Sequence, residues 1–443
     1  MSRAVASLVM AVLVTACQTV APAKDTSLAD VQVVTSPGGV TAWLVSESHV
    51  PIIAMEMAWR GGATNEPRGR EGAGWVMAYM MNEGAGKFDT TEYGARMQDL
   101  NMSFACGVAI DWTSCSLTTL KETADESFDM VRMALAEPRF DREPIERAKR
   151  ELSVSLKQED ANPRTLASRA MNNALIPGHP YARYATPETV ARVSRSDIAR
   201  LKQTLMTKER LLVVVVGDMT ADELKPKLDE VFGALPAGSP LPPLPPLADA
   251  VARPALSEPV VTQLAQPQTL VMFSGPGVRR EDPDFFAAYL LNYVLGGGAL
   301  SSRLGDDLRE KRGLTYAVGT GLSLQTHFWR WTGSTSVQND KADEAVALIR
   351  KNIGRLGRDG PTQAELDDAK AYVTGAFPLA FDSNARIARN LLGFRQDNLA
   401  ADYVQQRNGF FEAVTLADVK RVAAEYMKAE QFTFVMVGQP ALD

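Results

Sequence analysis

The sequence predicts an α+β protein made of two homologous domains, each a mainly antiparallel sheet with helices packed on one side. Three observations carry that expectation: a proline-rich hinge near the middle of the chain, the same helix-then-strand ending in both halves, and hairpins lying beside long amphipathic helices. At 443 residues with 45% hydrophobic content, the chain is too long for one ordinary domain and apolar enough for more than one core.

In chain order, apolar or alternating segments at 40–45 and 52–59 predict strands. Residues 72–81 follow a Gly-rich turn and should form a helix. Residues 103–108 and 113–120, around a turn near Ile110-Asp111, predict a hairpin, followed by long helices at 123–136 and 145–158. Within the hairpin Cys106 and Cys115 face each other, close enough either for a disulfide or for two buried thiols.

Residues 193–218 and 414–439 align without gaps. Ser194 and Thr415 can each cap a first turn carrying an acid, Asp197 or Asp418. Met206 matches Met427, Glu209 matches Glu430, and both copies run into an apolar strand ending in glycine. Between the halves, Gly-Ala-Leu-Pro-Ala-Gly-Ser-Pro-Leu-Pro-Pro-Leu-Pro-Pro-Leu lacks ladder donors and predicts an extended linker. Beyond it, 270–274 and 329–337 read as strands and 342–356 as a helix.

Charge is mixed, with 47 Lys and Arg against 53 Asp and Glu, so no basic surface for nucleic acid is expected. Arg3 precedes an apolar stretch, 4–14, too short to span a bilayer, which predicts a signal peptide. Val14-Thr15-Ala16-Cys17 has the form of a lipobox, although ordinary cleavage after Ala16 fits the same small residues. The expectation is a periplasmic lipoprotein anchored to a membrane through lipidated Cys17.

Chemistry concentrates in two places. Gly61-Gly62-Ala63-Thr64-Asn65-Glu66-Pro67, followed by Glu71-Gly72-Ala73-Gly74-Trp75-Val76-Met77-Ala78-Tyr79-Met80, resembles the first motif of the pitrilysin/insulinase peptidases. In those enzymes H-x-x-E-H sets two zinc-binding histidines and a catalytic glutamate on one helical face. Here the corresponding positions are Trp75, Ala78 and Tyr79, which hold no metal and supply no base. The resemblance also implies a third ligand, a glutamate, where this chain reads Leu152-Ser153-Val154-Ser155-Leu156; Glu151 lies about a turn early. His49, His179 and His327 are scattered, His179-Pro180-Tyr181 resembles a structural turn of the family, and no G-x-S-x-G nucleophile elbow occurs.

The second place is Gly296-Gly297-Gly298-Ala299-Leu300-Ser301-Ser302-Arg303-Leu304 with Leu308-Arg309-Glu310-Lys311-Arg312-Gly313-Leu314-Thr315-Tyr316-Ala317-Val318, which resembles the family's second motif. Residues 304–311 predict a helix closed by Gly313, with a strand from Thr315. The resemblance implies that Arg309 and Tyr316 hold a substrate carbonyl and its oxyanion beside a zinc; alone, they would read as a helix-end cation and a sheet-face ring. Gly296, Gly297 and Gly298 either let backbone approach a bound peptide or simply turn tightly.

The divisions implied are a signal peptide (1–16), a tether (17–28), a peptidase-like domain with a degenerate zinc site (29–236), a linker (237–256) and a second peptidase-like domain (257–443). Together these features imply a zinc-free subunit with no cofactor of its own. It would lend Arg309 and Tyr316 to an H-x-x-E-H homologue that carries zinc and cuts extended peptides. The alternative on the same fold is a non-enzymatic peptide-binding or assembly subunit.

Overall fold

The computed structural model describes residues 29–245, 247 and 256–441. The expected signal peptide, the tether and Cys17 lie outside them. The first half contributes strands β1 (Gln32–Thr35), β2 (Thr41–Ser46), β3 (Ile52–Arg60), β4 (Ser103–Val108), β5 (Trp112–Leu120) and β6 (Leu211–Gly217), ordered β1-β2-β6-β3-β5-β4 in one sheet. The second contributes β7 (Val260–Gln263), β8 (Gln268–Pro276), β9 (Thr315–Gln325), β10 (Phe328–Gln338) and β11 (Thr433–Gly438), ordered β7-β11-β8-β10-β9. Leaving out β1, the orders are identical element by element. In each sheet one pair is parallel, β2 with β6 and β7 with β11, and the other pairs are antiparallel.

The repeated endings explain much of this symmetry. Ser194 and Asp197 form a reciprocal capping box on helix Arg195–Leu205, and Thr415 and Asp418 do the same on Leu416–Tyr426. Each box satisfies otherwise orphaned N–H groups, and losing such a cap costs about 1 kcal/mol. Both helices then lead through a short turn into the buried strands β6 and β11.

Side-chain alternation assigns the two faces of each sheet. Along β3, Ile53, Met55, Met57 and Trp59 enter the first core, beside helices Ala73–Tyr79, Ala124–Ala136 and Arg142–Glu159. Ala54 and Ala58 point the other way. The first face matches the predicted one-sided layer of helices; the second face is covered by a helix of the opposite half. Ala388, Leu391 and Leu392 of helix Asn384–Gln396 pack on Trp43, Val214 and Val216, and Arg395 donates to the Val213 carbonyl at 2.6 Å. Reciprocally, Ala167 and Met171 of helix Pro163–Leu175 pack on Leu270, Val435 and Val437 of the second sheet. Each half thus lends one helix to the other. A fully buried leucine such as Leu391 contributes roughly 1.5–3 kcal/mol by burial, so this exchange ties the halves together.

A polar knot adds to the tie. Tyr181 donates its hydroxyl to Asp111 at 2.8 Å, and Asp111 also accepts the Thr326 N–H at 2.9 Å from the β9–β10 turn. His179, buried, accepts the Tyr181 N–H on Nδ1 at 3.1 Å, so Nε2 carries the proton donated to the Pro245 carbonyl of the linker at 3.1 Å. The role is structural. Cys106 and Cys115, directly opposed in the β4–β5 hairpin, form a disulfide.

Candidate functional site

Helix Ala73–Tyr79 is positioned by Glu66. This buried carboxylate accepts the Gly72 N–H at 2.9 Å and the Gly74 N–H at 2.6 Å, neutralising the free donors of the helix start. Glycine at 74 is required by that approach, because a Cβ there would lie 2.8 Å from the Glu66 carboxylate oxygen. Burial pushes the Glu66 pKa up, against the lowering effect of these two hydrogen bonds. Arg183 braces the turn from outside, donating to the Thr64 carbonyl at 2.6 Å and the Glu66 carbonyl at 3.2 Å. Sequence reasoning singled out neither Glu66 nor Arg183 as functional; the Glu-Pro before a Gly-rich helix start was the available signal.

On the helix, Trp75 is 40% exposed, Ala78 is buried, and the Trp75 and Tyr79 rings stack with centroids 5.2 Å apart. The place opposite is taken by an ion network. Arg147 of helix Arg142–Glu159 pairs with Glu83, with Glu143 at 3.3 Å and with Glu151 at 4.0 Å. The Tyr79 hydroxyl interacts electrostatically with Arg147 and Glu151, and burial raises its pKa above the ordinary value. Leu152 and Leu156 turn into the core, and Ser155 faces out, so no carboxylate comes from the expected third-ligand stretch. A guanidinium thus lies beside Tyr79, where a cation would have to bind. Among the described residues no cluster of His, Cys, Asp or Glu is arranged to hold a metal ion.

The second motif is built differently. Residues Gly305–Glu310 form a wide helical turn, with the Lys311 N–H bonded to the Asp306 carbonyl at 2.9 Å, rather than the regular helix expected for 304–311. Such turns are rare and recur at functional positions. Arg309 lies on it, and its guanidinium carbon stands 4.9 Å from the centre of the Tyr316 ring. Tyr316, on edge strand β9, is 85% exposed, and the Arg309 side chain is 34% exposed with only Glu310, at 3.6 Å, as an ionic neighbour. Gly296 is buried against Thr320 of β9, where a Cβ would come within 2.7 Å of the threonine, so its service is close packing; Gly297 is exposed. The structure therefore unites Arg309 with Tyr316 and Trp75 with Tyr79. No hydrogen bond, ion pair or ring contact joins the two sets among the described residues.

A duplicated α+β body whose zinc-helix positions are Trp75, Ala78 and Tyr79, yet whose second half presents a paired arginine and tyrosine, defines a peptidase-like protein in which no metal-holding cluster is arranged among the described residues. Two family models match it: "Insulinase (Peptidase family M16)" over residues 44–185 and "Peptidase M16 inactive domain" over residues 192–373. Among curated proteins, the "Non-peptidase homolog YmxG" of Helicobacter pylori is 23% identical over 412 residues, 90% of this chain and 92% of that protein. The "Uncharacterized zinc protease YmxG" of Bacillus subtilis is 22% identical, covering 80% of this chain and 86% of that one. A solved structure described as a peptidase M16 inactive domain from Pseudomonas fluorescens superimposes with TM-score 0.85 at 23% identity, covering 93% of this chain and 98% of the other. A protease from Helicobacter pylori gives TM-score 0.82 at 18% identity, covering 92% and 99%.

This chain belongs to the insulinase family of peptidases, M16. Without zinc ligands at Trp75, Ala78 and Tyr79, it is a member that is non-catalytic by itself.

Proposed function

We propose that this chain is the zinc-free subunit of a heteromeric metallopeptidase and donates Arg309 and Tyr316 to the zinc site of an H-x-x-E-H homologue. One observation carries the reading: partly exposed Arg309 and exposed Tyr316 are adjacent in the half of the chain that keeps the family's second motif, while Arg147 forms an ion network beside Tyr79 of the first. A guanidinium and a phenol hydroxyl are donors suited to a substrate carbonyl and to the oxyanion that forms on it during amide hydrolysis. Extended peptides are the substrate class. Edge strands β4 and β9 each present one unpaired row of backbone groups, which an added strand can satisfy, and exposed Gly297 lies in the turn that packs against β9. In this reading the chain is exported and held in the periplasm at a membrane through lipidated Cys17, and zinc resides in the partner.

The test is reconstitution. Each purified subunit alone should leave an extended peptide uncut, and mixing should produce hydrolysis with one zinc per heterodimer, carried by the partner. An Arg309→Ala subunit that restored full hydrolysis would remove the assigned role. A mixture that bound the peptide without cutting it would favour the non-enzymatic binding subunit.

A further inference from the structure

We propose that the cleft between the two halves contains a carboxylate-binding subsite formed by Arg330 and Arg164, which selects extended peptides bearing an acidic group. The proposal deepens the peptide-binding part of the functional reading and rests on it.

Two adjoining hollows of about 570 and 510 Å³ share Arg164, Ser168 and Asn172 of helix Pro163–Leu175. Each is within the size range of ligand sites. The first reaches Trp75; the second runs along the open face of β10. On that strand Trp331 points into the second core, so Arg330, Thr332 and Ser334 share the opposite face, which lines the cleft.

Arg330 is short of partners. Its Nε and Nη1 atoms are buried without any hydrogen bond, and Nη2 has only a long contact, 3.3 Å, to the Asn172 side-chain oxygen. The Phe328 ring lies 4.4 Å from the guanidinium and holds it from one side. Burial lowers its pKa to about 10, which leaves it charged at neutral pH. Arg164, exposed at the rim, donates to the Ser334 hydroxyl at 3.3 Å. Neither arginine pairs with a carboxylate among the described residues, whereas the neighbouring Arg169 pairs with Asp160 at 2.6 Å and Arg183 lies 3.9 Å from Glu71.

A buried guanidinium without an acceptor is costly, and the cost is relieved by an anion with two parallel oxygens, the shape that a guanidinium fork matches. A carboxylate entering the cleft displaces the weak Asn172 contact at Nη2, and a small turn of the guanidinium presents Nη1 to its second oxygen. Arg164 and the Ser334 hydroxyl close over it. Carboxylate is available from an Asp or Glu side chain or from a peptide C-terminus, and both share this chemistry.

The experiment measures fluorescence anisotropy of labelled ten-residue extended peptides on the isolated chain, with no partner subunit present. Three peptides are compared: one with a central Glu and an amidated C-terminus, its Gln counterpart, and the Gln peptide with a free C-terminus. At least tenfold tighter binding of the first or the third over the Gln amide is expected, and which of the two gains identifies the source. Arg330→Gln should erase the gain and Arg164→Gln, a surface change that leaves the core untouched, should reduce it about fivefold. Equal binding of all three peptides, no binding of any at millimolar concentration, or an undiminished gain in the Arg164→Gln, Arg330→Gln double variant overturns the proposal. Carboxylate-dependent binding without hydrolysis on reconstitution would instead count against the peptidase-subunit reading alone.

Discussion

Arg147, Glu151 and Glu83 are tied by ion pairs beside Tyr79 within the first half, whereas the ionic and ring partners of Arg309 and Tyr316 among the described residues are each other and Glu310. Both regions belong to the motifs by which the chain resembles its family, yet the fold closes one and leaves the other more open. A closed network has its hydrogen-bonding capacity taken up by the chain, so its loss is felt as stability. An open pair contributes little to folding.

The largest effect that separates the two regions is on rate. In the proposed heterodimer, Tyr316→Phe and Arg309→Lys should each lower kcat by about 10²–10³, while the melting temperature of the subunit stays within about 1 °C of the parent. Unchanged kcat, or a large loss of stability, would erase the distinction. Arg147→Ala should do the opposite. It strands the Glu83 carboxylate beside Tyr79 and should cost about 1–3 kcal/mol in urea denaturation, with little effect on kcat of the reconstituted enzyme.

Glu56 sharpens the comparison as a carboxylate that is buried yet poorly satisfied. It sits on the face of β3 covered by helix Asn384–Gln396, and burial raises its pKa to about 7 despite Arg389 at 3.8 Å. A raised folded-state pKa means that the native chain keeps a proton the unfolded chain has released. The stabilisation is complete below about pH 4.5, falls as pH rises, and is gone once pH passes about 7. Glu56→Gln should flatten that decline and raise the melting temperature at pH 8 by about 2–6 °C, read by calorimetry across pH 4–8.

The smallest expected change comes from grafting. Trp75→His, Ala78→Glu and Tyr79→His together should not create a tight zinc site, because Arg147 still lies opposite and residues 152–156 offer no carboxylate. One zinc retained per chain after dialysis would show that the closed region is closed only by those three side chains.

Much of the fold was legible from local pattern. The capping residues Ser194 and Thr415, the apolar runs into β6 and β11, and the β4–β5 hairpin are short-range signals, and each element lies within a few residues of its expected place. The adjacency of Arg309 and Tyr316 was legible too, since a short turn at Gly313 separates them. The Arg147 network was not, because Tyr79, Glu83 and Glu151 are drawn together only when two helices pack. Nor was the need of Arg330, whose missing partner is visible only once its surroundings are known.

By itself the sequence determined the duplication, the order of elements and the loss of metal ligands at Trp75, Ala78 and Tyr79, because capping, alternation and the identity of a donor atom are local properties. Tertiary structure decided which helix covers which sheet. β6 is buried on both faces and its composition says so, but any amphipathic helix would meet that demand; that Leu391 comes from one half and Met171 from the other is settled by how the two bodies fit together.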